Sequence, residues 1–250
     1  MSIHDIIILG IAVLGGGLPP LIWLWFFLRE DKRNPEPKPL LIATFIGGMV
    51  AVPVALYFEK ILISNTHIIT ALSSTGVALF LALTAIVIIE ELVKYIAARW
   101  IALLNRNYNE PIDAMVYLIT AALGFAALEN TLFLIGSASE FALFDFGSLS
   151  TKHLNLVFIN NNLRFIGATI LHIVASGIFG FFIGLAFYKR NIVKIIYTII
   201  GLSTAVILHA VFNFSIITYS DRPLMVFAFL WIFAIVLILL FEKIKRVAPD

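Results

Sequence analysis

Glu90, Glu91 and Lys94 lie inside one hydrophobic stretch of the chain, and Glu129, His172 and His209 each lie inside another. A charged side chain at the centre of a bilayer costs about 2.5–3.5 kcal/mol on insertion scales. Three such groups within five residues, 90–94, are tolerated only with partners, so the groups must face one another across the interior of a helix bundle. Acids, imidazoles and the amide of Asn213 collected there supply a base, a partner acid and an oxyanion donor. Those are the parts needed to activate water. Ionisable residues within a membrane are read as functional by default.

Helical spacing sharpens the arrangement. Glu90 and Lys94 are four apart, in the favourable order for an acid–base pair on one face. Glu91 is turned by about 100° from Glu90 and stands three residues from Lys94. His209 and Asn213 are also four apart and reach the same space. Arg164 and His172 share a face, with Arg164 nearer the external mouth. Each group also has a plainer reading. Glu91 with Lys94 can be a structural ion pair, the preferred reading for Lys94 itself. His172 can be a packing residue and His209–Asn213 an interhelical hydrogen bond. Glu129 followed by Asn130 can be a proton or cation site.

The elements that must hold these groups are membrane helices. The 250-residue chain is 61% hydrophobic and 13% charged, against about 25% charged in soluble domains. Its net charge of +2 is small, and no basic run suggests a nucleic-acid surface. With no cysteine, disulfides, thiolate metal sites and cysteine nucleophiles are excluded. Seven stretches are long enough to cross the hydrocarbon core: 3–28, 40–63, 76–104, 113–136, 163–188, 195–219 and 223–241. The first has no basic residue before it and reads as a retained helix rather than a cleaved leader. Basic residues follow spans one, three, five and seven (Arg29, Lys32, Arg33 and Lys38; Arg99 and Arg106; Lys189, Arg190 and Lys194; Lys243, Lys245 and Arg246). By the positive-inside rule the N-terminus is outside and the C-terminus cytoplasmic. The fold expected is therefore an all-α polytopic transmembrane bundle of about seven spans. It forms a single membrane-embedded domain over 1–250, in the cell membrane. In that topology Glu90, Glu129, His172 and His209 all fall in the middle or outer half of the bilayer and can meet.

Pro35, Pro37 and Pro39 make the first cytoplasmic loop extended and stiff, and Pro53 kinks span two. Gly177, Gly180 and Gly184 form a small-residue stripe, read as ordinary close helix packing. Residues 137–162 read as one long external connection, a surface loop or an interfacial lid carrying Phe141, Leu143, Phe144 and Phe146. The Asn213-Phe214-Ser215 sequon lies inside a span and carries no weight.

The motif set E-E-x-x-K (Glu90, Glu91, Lys94), F-x-x-x-E (Phe125, Glu129), an isolated His172 and H-x-x-x-N (His209, Asn213) resembles the PrsW intramembrane proteases. These are relatives of the CAAX prenyl endopeptidases and bacteriocin-processing membrane proteins. The resemblance covers about residues 85–215. The F-x-x-x motif ends in Glu129 where the CAAX branch has a histidine, which favours the PrsW branch. It implies cleavage of membrane-anchored proteins or peptides, typified by the first cut in an anti-sigma factor. Carried over, Glu90 is the general base that activates water, and Glu129 or His172 helps position that water. His209 with Asn213 forms the oxyanion site, and Glu91 and Lys94 hold the local geometry. A zinc or other divalent site on Glu90, Glu129, His172 and His209 is an open alternative. The absence of H-E-x-x-H and the sufficiency of a glutamate-activated water favour the metal-free version. The rival class is a proton- or ion-coupled transporter using the same cluster, against which the lack of paired Gly/Pro helix breaks counts. The partners implied are a membrane-anchored substrate and the lipid bilayer.

Overall fold

The computed structural model describes residues 3–29, 34–65, 68–73, 75–142 and 151–249. Side chains are described for these except at residues 3–5, 7–8, 65, 68–69, 137–142 and 151–166. Among the described residues all regular structure is helical: α1 (Ile3–Leu28), α2 (Lys38–Asn65), α3 (Ile68–Leu72), α4 (Val77–Ala98), α5 (Asp113–Ala142), α6 (Thr151–Leu185), α7 (Asn191–Thr218) and α8 (Pro223–Ile244). Six of these, all but α3 and α4, are long and apolar enough to cross a membrane by length and composition. Helix α4 is 22 residues long but carries Glu90, Glu91 and Lys94. It stands where the third span is expected, set apart from the other six helices by its charges.

One expectation is corrected. The segment 137–162 is not one long loop: α5 runs to Ala142 and α6 starts at Thr151. The stretch lies between the two apolar spans, yet a helix already nucleated by an apolar span propagates at the cost of only a weak propensity penalty per residue. Any lid role for Leu143, Phe144 and Phe146 lies outside the described residues. The connection between spans two and three holds the short helix α3, and α4 continues into a π-helical turn at Arg99–Leu103.

Helix α5 is the axis of the bundle. Every residue from Pro111 to Ala127 is buried, and the helix packs against α1, α2, α4 and α6. Small residues permit this. A Cβ on Gly48 would run into the backbone carbonyl of Ala121, and one on Gly124 into that of Phe45, so α2 and α5 touch backbone to backbone. On the other side a Cβ on Gly180 would lie 2.6 Å from Met115 Cα. The glycine stripe of α6 is thus a close-packing surface, as its spacing predicts, meeting α5 at Gly180, and Leu237 and Ile244 of α8 at Gly177 and Gly184. Helices α4, α5, α6 and α7 each touch the next in a closed ring, and these four carry all the motif residues.

The connection before α2 is pinned to the start of α5. Tyr117 Oη donates to Glu36 Oε2, and Asn34 Nδ2 donates to Asn109 Oδ1 at 3.2 Å and Glu110 Oε1 at 3.0 Å. Asp113 Oδ2 accepts the backbone N–H groups of Asn109 and Glu110, both at 2.8 Å. The proline-rich segment is ordered by these bonds as much as by its prolines.

Gly124→Ala is predicted to destabilise the fold by about 1–3 kcal/mol, because the new methyl meets backbone rather than a movable side chain. Gly10→Ala, where an added Cβ meets nothing within 4 Å, leaves stability unchanged. Unfolding midpoints in an SDS titration compare the two.

Candidate active site

The successive acids of α4 diverge because of the helical turn between them. Glu91 points at Lys94, one turn on, with Lys94 Nζ 2.5 Å from Glu91 Oε1 and both residues 1% exposed. The sequence spacing allowed Glu90 or Glu91 as the partner of Lys94; the bond is made by Glu91. Its Oε1 also accepts from His209 Nδ1 at 2.7 Å, and Ser176 Oγ stands 3.4 Å from Oε2. Lys94 Nζ reaches His172 Nδ1 at 3.0 Å, and His172 Nε2 lies 2.8 Å from Glu129 Oε2. Phe125 packs against this centre, its ring 5.5 Å from that of His172 and 4.9 Å below Lys94 Nζ. One chain of polar contacts, Glu129–His172–Lys94–Glu91–His209, therefore ties all four ring helices together.

The partners set the tautomers. His209 donates from Nδ1 to the Glu91 carboxylate, which leaves its Nε2 lone pair facing Glu90 Oε2 at 3.6 Å. His172 accepts the Lys94 ammonium at Nδ1 and donates from Nε2 to Glu129. The two imidazoles stand perpendicular, 5.1 Å between centroids.

Above this layer lies a cavity of about 180 Å³ between α4, α5, α6 and α7. Its polar walls are Glu129, Asn130, His172, His209 and Asn213; the rest is apolar. The Glu129 side chain is 41% exposed there. Glu90 does not line the cavity and is buried. Arg164 belongs to α6, but its side chain lies outside the described ones. Three further polar residues of the site belong to no motif in the sequence. Ser176 and Thr169 stand four residues after and three before His172 on one face of α6, and Asn130 Nδ2 donates to Thr169 Oγ1 at 3.0 Å. A polar stripe along a helix as buried as α6 is the signal that marks Thr169 and Ser176. Glu59 of α2 is a further carboxylate whose charge acts on both Glu90 and Glu129.

The donor set suits a divalent cation. One ligand atom each from Glu90, His172 and His209 lies within 4.8 Å of the others. Glu90 Oε2 is buried with no hydrogen-bond partner among the described residues. Two imidazoles and a carboxylate with a position left open form a common catalytic zinc set, and a carboxylate behind a ligating imidazole, as Glu91 stands behind His209, is its usual support. Among the described residues of the network, the ionised forms of Glu90, Glu91 and Glu129 carry three negative charges against the one positive charge of Lys94. A buried excess of that size calls for protons or a cation.

A family profile described as "PrsW family intramembrane metalloprotease" matches residues 36–240. The chain is 24% identical to "Protease PrsW" of Bacillus subtilis (strain 168) over 230 residues, covering 90% of this chain and 93% of that protein. It is 24% identical to "Protease PrsW" of Oceanobacillus iheyensis over 228 residues, covering 90% and 94%. To "Protease PrsW" of Geobacillus kaustophilus it is 26% identical over 131 residues, covering 52% and 55%. No solved structure matches the chain.

Lys94→Met is predicted to cost about 3–5 kcal/mol, since it leaves the buried Glu91 carboxylate without its ion partner. Adding Glu91→Leu recovers more than half of that loss. The same SDS titration reads both.

Proposed function

The chain belongs to the PrsW family of intramembrane metalloproteases, and on that premise we propose that the Glu129–His172–Lys94–Glu91–His209 layer hydrolyses a peptide bond of a membrane-anchored protein or peptide. The observation that carries this reading is the convergence of Glu90, His172 and His209 beneath a cavity walled by Glu129 and Asn213. The protein is taken to lie in the cell membrane with its N-terminus outside, so that the cavity faces the outer half of the bilayer.

Glu90, His172 and His209 would hold a divalent cation, which supplies Lewis acidity to a water and to the scissile carbonyl. For His172 to offer Nε2, its Nε2 proton would pass through Glu129 to solvent while Nδ1 takes one from Lys94, and the Glu129 carboxylate would be left ionised, facing the cavity. Glu129 then takes a proton from the attacking water as the new C–O bond forms. It delivers that proton to the leaving nitrogen as the C–N bond breaks. Asn213 donates its amide N–H to the carbonyl oxygen as negative charge develops there. Glu91 keeps His209 in the tautomer that presents Nε2, and Lys94 holds Glu91 in place.

One observation favours a second reading. Both ring nitrogens of His172 are already engaged, by Lys94 and by Glu129. In that arrangement Glu90 is the base of a metal-free site, the role the family resemblance implies for it.

Cleavage of a panel of single-span substrates by purified protein in proteoliposomes, with metal content measured in parallel, tests the proposal. Glu129→Gln is expected to lower cleavage by at least about a hundredfold and to retain the bound ion, whereas Glu90→Gln loses both. A Glu129→Gln enzyme that cuts at the wild-type rate contradicts the assignment of the base. Loss of cleavage in Glu90→Gln from an enzyme that never held metal selects the second reading.

A further inference from the structure

Asn130 is the one polar wall of the cavity that the mechanism above leaves without a role. It is 4% exposed and follows Glu129 directly, so its side chain leaves α5 turned by about 100° from that carboxylate. One amide N–H goes to Thr169 Oγ1 at 3.0 Å. The carbonyl oxygen and the second N–H make no bond to any described residue, and the amide lies at the cavity wall. Thr169 is itself fully buried, which holds the amide at a set angle rather than letting it swing.

A polypeptide that crosses a membrane satisfies its backbone N–H and C=O groups within its own helix. To be cut, it must unwind by a turn around the scissile bond, and each freed peptide group then needs a new partner. Left unpaired in an apolar site, such a group costs about 1–3 kcal/mol. The other polar walls are spoken for in that mechanism: Glu129 serves the attacking water, His172 and His209 turn to the ion, and Asn213 faces the reacting carbonyl. The remaining walls, among them Leu83, Phe133, Ile216 and Ile217, offer nothing. A neutral side-chain amide pairs with a peptide group through a donor and an acceptor at once, and it adds no charge to a site already rich in acids.

We propose that Asn130, held by Thr169, is a substrate-binding residue that takes a backbone peptide group of the unwound segment beside the scissile bond. This rests on the reading of the cavity as a peptidase site, and it adds a determinant of substrate binding rather than of the chemical step.

Binding is measured in the Glu90→Gln background, where turnover is absent, by energy transfer in proteoliposomes. The probe is a labelled single-span leucine–alanine peptide with two central glycines to ease unwinding. Asn130→Ala is expected to raise its Kd about tenfold and the nearly isosteric Thr169→Val about threefold, with the unfolding midpoint of Thr169→Val unchanged. In otherwise wild-type enzyme the same substitutions raise KM and leave kcat within about twofold. Unchanged Kd in both variants overturns the proposal, as does a fall in kcat at unchanged KM. If Asn130→Ala does not fold, the Kd of Thr169→Val alone decides between a binding role and none. Asn130-dependent binding by a protein that cuts no substrate would leave the binding role standing and sink the peptidase reading instead.

Discussion

The buried pair of Lys94 and Glu91 is the contact on which the site depends. An ammonium and a carboxylate removed from water each carry a desolvation penalty of several kcal/mol, which their mutual attraction offsets only with good geometry and further hydrogen bonds. Here the further bonds come from three other helices. Lys94 reaches His172 on α6, and His172 reaches Glu129 on α5; Glu91 receives His209 from α7 and lies beside Ser176 of α6. The requirement that these charges be satisfied thus fixes the relative rotation of four helices. Lipid supplies no hydrophobic force to do that, since the bilayer is as apolar as a helix face.

Packing makes that electrostatic solution reachable. Polar groups in a bundle interior meet only if backbones come close, and α5 is approached at backbone distance by α2 at Gly48 and Gly124 and by α6 at Gly180. The bonds among Glu36, Tyr117, Asn34, Asn109, Glu110 and Asp113 then anchor the start of α5, four turns from Glu129. The functional reading follows from what the ion pair leaves over. With Lys94 committed to Glu91 and His172, Glu90 keeps a buried oxygen with no hydrogen-bond partner among the described residues, beside two imidazoles.

Much of this is legible in the chain because the cost of burying charge is written in residue type. Glu90, Glu91, Lys94, Glu129, His172 and His209 stand out against apolar surroundings, and their depths in successive spans bring them to one level. Span boundaries follow from hydropathy, with α1 at residues 3–28 as expected. The choice between Glu90 and Glu91 as the partner of Lys94 is not legible, because both lie within one turn and only the places of α6 and α7 decide it. Thr169 and Ser176 escape notice since neutral polar side chains cost little in a helix and mark no depth. The helical stretch 151–162 is hidden because it precedes the apolar span that starts at 163, while Glu36 lies far in sequence from the helix it anchors.

X-ray absorption of purified protein loaded with zinc is the most direct test of the claim that this network gathers Glu90, His172 and His209 around one cation. The account predicts one ion per chain with two imidazole nitrogens and carboxylate oxygen at about 2.0–2.2 Å. It also predicts loss of one imidazole in His209→Ala and weakened uptake in Glu91→Ala. Full cleavage activity in protein stripped of every divalent ion, or an ion bound without imidazole, would contradict it.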